Sequence, residues 1–349
     1  MKNDKYKKVI GVEKKTENDT PPAEDKTPPK NRLVMRPEIL ALHALCCLCR
    51  IQKVSEPLIQ RHRLIELFQT NLGANKFKPE DYIVELEKYR EWLDKHIVYL
   101  QDSEGDLDYA FRDNTGTDDE INRMKQFQTM LHVSSGEAQE WVLKAYFASN
   151  RGALSYDALR KMENSWHKKD FSERGTLDSN NLCYGKIFRY WFWKLDFLLW
   201  ELHQREENND LFADLNERER EAISGYRFRD NISIEHLHPQ SKEDEIWGDR
   251  DDPEANLHKF GNLAMMSQSA NSAQSDDGIG TKFGRVKDWL NTGRLESIKM
   301  LLMYHLAERD KEGWTVDKAD KHEKSMIDIL ESDFKQHMQT NEPTEESGE

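Results

Sequence analysis

Long apolar runs are missing from this 349-residue sequence. No stretch reaches the roughly 18 to 20 apolar residues that cross a bilayer. Met1-Lys2-Asn3-Asp4-Lys5 leads into charged sequence rather than a signal core, so a cytoplasmic protein without membrane association is expected. Cysteine is scarce: four in all, three of them in Cys46-Cys47-Leu48-Cys49 and the fourth, Cys183, alone. No second Cys or His pair stands at zinc-finger spacing, so no zinc is expected, and the cluster reads as reduced thiols packed in a helix. Positive charge is short as well, with 51 Lys and Arg against 65 Asp and Glu for a formal charge of −14. That balance argues against holding nucleic acid by bulk electrostatics; such a contact needs a local basic patch or a partner.

What is present is apolar content of 37%, enough for two or three modest cores. Residues 1–33 mix Lys and Glu with Thr20-Pro21-Pro22 and Thr27-Pro28-Pro29, a composition that cannot offset chain entropy, and a disordered lead-in is expected there. A helical domain is predicted over 34–224. Ile39, Leu40, Leu42, His43, Leu45, Cys46 and Cys49 recur at helical spacing after Pro37, which a first turn tolerates. Leu58, Leu64, Ile65 and Phe68 predict a second helix, and Tyr82, Leu86, Tyr89, Trp92 and Leu93 a third, so the start reads as an all-helical array. Residues 101–117 read as a polar loop, with helices following near Glu120, from Ser135 as N-cap, and over Tyr156 to Met162. The aromatic stripe from Ile187 to Trp200 has a base-stacking reading, but apolar residues on nearly every side point to core. Strand-like alternation at Tyr226-Arg227-Phe228-Arg229 and Ile232-Ser233-Ile234 predicts a boundary near 225, a compact unit over 225–310, and a C-terminal helix with an acidic tail over 311–349.

The chemistry lies in Ile234-Glu235-His236-Leu237-His238-Pro239, then Phe260-Gly261-Asn262-Leu263, then Asn271. Phosphodiester hydrolysis needs a base for water and positive charge for the departing oxygen. A neutral His supplies the first. One divalent ion, Mg²⁺ or Mn²⁺, held by Glu235 and an Asn oxygen supplies the second. A strand is predicted over 232–237, ending at Pro239, and a second over 257–267, with Gly261 allowing a kink. An ideal pleat sends Glu235 and His236 to opposite faces, so the site requires the pleat to break there. The bland alternatives are a strand-end His, a surface carboxylate and an Asn271 that only caps a helix.

Glu235-His236, Asn262 and Asn271 resemble the His-Asn-His (HNH) class of ββα-metal nucleases. The closer likeness is to the C-terminal nuclease domain of the GmrSD family of modification-dependent restriction proteins. Its pattern of Ile-Glu-His-x-x-Pro, His-x-x-Gly-Asn-Leu and Asn-Ser is matched by residues 234–239, 258–263 and Asn271-Ser272. The resemblance implies a mainly α chain: a helical N-terminal domain followed by a small ββα-metal nuclease domain with flanking helices. It implies His236 as general base, Glu235 and Asn271 as metal ligands, and Asn262 orienting the His or stiffening the loop. His238 is a rival base or a phosphate contact, and His258 fits the pattern without a chemical duty. Lys282 and Arg285, spaced to share a helix face in the basic stretch 278–300, are candidate phosphate contacts. The implied activity is metal-dependent endonuclease cleavage of DNA in defence against foreign DNA. The alternatives are an RNA-directed nuclease and a non-catalytic interaction subunit of a defence complex. No Gly-x-x-x-x-Gly-Lys-Ser/Thr motif is present, so a protein partner is expected to supply recognition or a nucleotide-dependent domain.

Overall fold

The computed structural model describes residues 31–339 except 74–75, 104–105, 113–115, 179–180, 206–208, 230, 239–246, 248–252, 269, 271–278 and 310–311. The expected disordered lead-in and acidic tail fall largely outside that set. The described chain is mainly helical with two small sheets, and it divides into two compact units between Met162 and Glu163.

The first unit is built on β1 (Asn31–Leu33), α1 (Pro37–Ile51), α2 (Leu64–Phe68), α3 (Pro79–His96), β2 (Tyr99–Ser103), β3 (Asp106–Ala110), α4 (Asp118–Ser134), α5 (Glu140–Ala148) and the first half of α6 (Tyr156–His167). Pro37 and Pro79 open α1 and α3, where the missing N–H is no loss. The two helices pack together, burying Leu42, Leu45, Leu86 and Tyr89. His43 of α1 is fastened at both ring nitrogens, its Nδ1 2.8 Å from the Tyr89 hydroxyl of α3 and its Nε2 2.7 Å from the Ala138 carbonyl just before α5. Burial pushes its imidazole down to about 4, so it is a neutral structural group. The three clustered thiols are buried in α1, and burial raises Cys46 to about 12, far from metal-binding thiolate.

Three expectations need correction here. The start is not all helical, because β1, β2 and β3 form an antiparallel sheet with Leu33 opposite Tyr99 and Leu100 opposite Tyr109. Gln128 fixes where α3 gives way to β2, its Oε1 accepting from Val98 N at 3.0 Å and its Nε2 donating to His96 O at 2.8 Å. The second predicted helix is present as one helical run over 61–73, 3₁₀ then α over Leu64–Phe68 then π, but it starts after Leu58 and leaves Leu58 69% and Ile65 72% exposed. Ser135 ends α4 instead of starting the next helix. α5 starts after Gln139, a left-handed residue whose Oε1 lies 3.0 Å from His132 Nδ1 and accepts from Trp141 Nε1 at 2.8 Å. The cap that does initiate α4 is Thr117, in a reciprocal capping box with Glu120.

The second unit comprises the rest of α6, α7 (Tyr190–Arg205), α8 (Glu217–Ser224), β4 (Ser233–His236), α9 (Pro253–His258), a 3₁₀ turn (Phe260–Asn262), β5 (Leu263–Met266), α10 (Ile279–Asn291), α11 (Ile298–Glu308) and α12 (Val316–Gln339). The aromatic stripe is core, as its all-round apolarity implied: every residue of α7 from Trp191 to Glu201 is buried. Two charged residues on α7 join it to distant parts of the second unit. Lys194 reaches Glu163 at 2.7 Å and Asp333 of α12 at 3.0 Å, both buried. Asp196 caps α11, accepting from Ser297 Oγ at 3.0 Å and Lys299 N at 2.8 Å. These bonds tie α7 to helices more than a hundred residues later. Tyr226 and Phe228 are buried side chains in irregular chain, not a strand.

Candidate active site

β4 and β5 pair antiparallel, with Glu235 opposite Ala264 and His236 opposite Leu263. Both strands are shorter than predicted. Residues 253–258 are helical and 260–262 a 3₁₀ turn, because side chains take the carbonyls a ladder would need. Asn262 Nδ2 donates to Leu257 O at 2.9 Å, and the buried Lys299 ammonium donates to Phe260 O at 2.9 Å and also to Leu263 O. Gly261 serves a close approach more than a kink. An added Cβ would penetrate the Ala319 carbonyl of α12 and come within 3.0 Å of Glu323 Cβ, whose carboxylate accepts from Gly261 N at 2.7 Å.

Asn262 is fully buried, and its side chain is a backbone clamp. Its Oδ1 accepts from His238 N at 2.9 Å and from Trp314 Nε1 at 3.0 Å, while its Nδ2 also donates to His238 O at 3.3 Å. The Asn262 carbonyl accepts from Leu237 N at 3.0 Å, so the chain leaving β4 is held by one residue on both sides of its amide. Of the two expected roles, stiffening the loop is the one its contacts perform.

The break expected at Glu235-His236 is absent, because β4 pairs with β5 in regular register through His236; the two side chains find different partners, and Lys282 links them by touching the Glu235 carboxylate and the His236 carbonyl. Glu235 pairs with Lys282 of α10, which also donates to the His236 carbonyl at 3.1 Å. Lys282 is buried, so in this arrangement it neutralises a carboxylate and does not present its ammonium to solvent. Burial raises the Glu235 carboxyl, and the Lys282 charge opposes that rise. Arg285, one turn along α10, is half-buried.

His236 is buried on the other side, its Nε2 3.1 Å from His258 Nδ1 at the end of α9. Burial first, then the neighbouring His258 and Lys282, pushes His236 down to about 3, so it is neutral at physiological pH. Tyr184 covers the pair: its ring lies 4.6 Å from His236 edge to face and 5.4 Å from His258 nearly parallel, and its N–H donates to His258 O at 2.9 Å. His238 is stacked flat on Trp247 at 4.8 Å, and Trp247 Nε1 donates to Trp314 O at 3.2 Å.

The structure thus gathers Glu235, His236, His238, His258, Asn262 and Lys282 around β4; Asn271 and Pro239 lie outside the described residues. Among the described residues no three His, Cys, Asp or Glu side chains converge as a metal cage. Sequence reasoning passed over Tyr184, Trp247 and Trp314. The first carried a signal in its Tyr-Gly turn, while the tryptophans gave none short of the fold.

No curated protein and no solved structure matches the chain. A family model does, that of the GmrSD restriction endonucleases, C-terminal domain, and its match runs over residues 163–329. The match begins where the second unit begins and includes every described residue around β4. In that segment the chain resembles the C-terminal domain of the GmrSD restriction endonucleases.

Proposed function

We propose that the second unit is an HNH-type, metal-dependent DNA endonuclease acting in defence against foreign DNA, with His236 as general base. The observation that carries the reading is the His236–His258 pair: a buried, neutral imidazole held through its Nε2 beside a motif carboxylate. If His236 Nε2–H donates to His258 Nδ1, the lone pair on His236 Nδ1 is left to take a proton from water. The tautomer is assigned from that role. The resulting hydroxide forms the new P–O bond, the old ester P–O bond breaks, and the departing oxygen takes a proton from solvent.

Glu235 is a fitting ligand for a hard cation, because it is a partly buried carboxylate whose charge is already balanced by a cation, the Lys282 ammonium. Glu235 and Asn271 would hold one Mg²⁺ or Mn²⁺. When bound, that ion supplies positive charge to the phosphate and leaving oxygen. His258 then serves as the group that orients His236, and Asn262 fixes the loop that carries His238.

The test is cleavage of modified and unmodified DNA, and of RNA, by the full chain with Mg²⁺ or Mn²⁺, with and without nucleotide triphosphate. His236→Ala should abolish cleavage while leaving the unfolding transition in place. Intact cleavage in that variant would refute the assignment. The Lys282–Glu235 pair also favours a second reading, a non-catalytic interaction subunit in which the ammonium is a permanent filler. Calorimetric titration of Mn²⁺ separates the two, since a scaffold takes up no ion at Glu235.

A further inference from the structure

The segment Tyr184-Gly185-Lys186-Ile187-Phe188-Arg189 runs past the β4 site as a short turn, with Lys186 N and Ile187 N both donating to the Cys183 carbonyl at 3.1 and 2.9 Å. Gly185 sits at φ +83°, a left-handed position with open space around it. Ile187 alone is buried as the anchor, while Tyr184 is 42% and Phe188 73% exposed and Lys186 and Arg189 are both exposed. One exposed and one half-covered aromatic ring are interleaved here with two cations in a chain carrying −14, and they are continuous with the site through the Tyr184 ring on His236 and His258. The stripe is buried from Trp191 onward, and Phe188 stands before that buried run. A single solvent-facing Phe is ordinary by itself; Phe188 counts because it shares one short turn with Tyr184, Lys186 and Arg189 beside the site.

Resting on the nuclease reading, we propose that residues 184–189 form a strand-holding platform for DNA, distinct from α10. Tyr184 stacks on the nucleobase next to the scissile phosphate, Phe188 stacks on a base farther along, and Lys186 and Arg189 neutralise intervening phosphates. Four residues of chain reach at most about 14 Å, the rise of about four stacked nucleotides, so both rings serve one short stretch of strand. Aromatic stacking with flanking cations is how single strands are held without a sequence code, and it compensates for the acidic remainder of the chain.

The test uses the full chain in the His236→Ala background with Mg²⁺, so that DNA is bound but not cut, and measures Kd by fluorescence anisotropy on labelled DNA over a salt series. Phe188→Ala should weaken binding about five- to a hundred-fold, with Tyr184→Ala at least as severe and Tyr184→Phe close to the parent. On single-stranded DNA, the double variant Lys186→Gln/Arg189→Gln should reduce the slope of log K against log salt by about 1.4. Phe188 is 73% exposed and, among the described residues, makes no ring contact with His236 or His258, so its effect is read apart from theirs. If the native chain cuts DNA yet Phe188→Ala and the neutralised pair bind within twofold of the parent at every salt, this inference alone fails. A native chain that neither cuts nor binds DNA overturns both readings, and a platform that holds RNA but not DNA overturns the choice of substrate.

Discussion

Replacing Asn262 tests whether this motif residue acts in chemistry or as a clamp. The side chain is fully buried and satisfies four groups: His238 N, Trp314 Nε1, Leu257 O and His238 O, at 2.9, 3.0, 2.9 and 3.3 Å. Asn262→Ala strips all four at once. Each orphaned buried polar group costs about 1–3 kcal/mol, but His238 adjoins chain that can relax toward water, so the sum is not the full total. A loss of about 4 kcal/mol is expected, equivalent to about 8–16 °C in the transition of a unit of this size. Asn262→Asp keeps the volume and the acceptor for His238 N and Trp314 Nε1. It turns a carboxylate toward the Leu257 and His238 carbonyls, so it should be no better than Ala. Thermal and urea unfolding followed by tryptophan fluorescence reads the loss directly, since Trp314 is itself a partner. In cleavage assays well below the lowered transition, the Ala variant should retain measurable activity, unlike His236→Ala. A variant of unchanged stability with abolished cleavage would refute the clamp and place Asn262 in the reaction.

Gly261→Ala should destabilise the second unit by more than about 3 kcal/mol, because the new methyl meets the rigid Ala319 carbonyl rather than a movable side-chain end; a thermal shift within 2 °C would refute that packing. Lys282→Met leaves Glu235 as an unpaired, partly buried carboxylate, so without divalent ion the protein should lose about 3 kcal/mol. With Mn²⁺ the same variant should bind the ion about tenfold or more tightly by calorimetry, and equal or weaker binding would show that the ammonium does not compete for Glu235. His43 provides a pH test in the first unit. Its folded pKa of about 4 lies below the ordinary 6.5, so the unfolded state takes the proton first. Stability is then whole above pH 6.5 and declines as pH falls toward 4, by about 3 kcal/mol from this group. The stability advantage of the parent over His43→Gln should shrink by that amount between pH 7 and pH 4 in urea unfolding, and a constant difference would refute the neutral imidazole.

Residues whose chemistry requires one side-chain type were legible before the fold was. Glu235-His236 and Asn262 stand out in the sequence as a motif and come together around β4, where Asn262 clamps backbone, and α1, α3 and α7 were legible from apolar spacing. What was not legible depended on distant partners. The β2–β3 hairpin is disguised because its strands carry Asp102, Asp106 and Asp108, and Asp108 is held by Lys125 of α4 at 3.0 Å, a contact no local pattern encodes. The long-range contacts of α7 depend on Lys194 and Asp196, which read as interruptions in an apolar helix and prove to be its ties to α12 and α11. Lys282 is the sharpest case. In sequence it is one of several cations on an amphipathic helix, and a phosphate contact is the natural expectation. The fold turns it inward onto Glu235 and the His236 carbonyl, where its ammonium neutralises the carboxylate. Its partner is 47 residues earlier, and only the packing of α10 on β4 brings them together. Among the described residues, Lys186 and Arg189 are exposed cations on the turn that lays Tyr184 over His236 and His258, a turn that helical periodicity had no reason to single out. If DNA binds this unit, an acidic surface leaves few places for its phosphates, and the choice between α10 and the 184–189 turn follows from which ammonium groups face water.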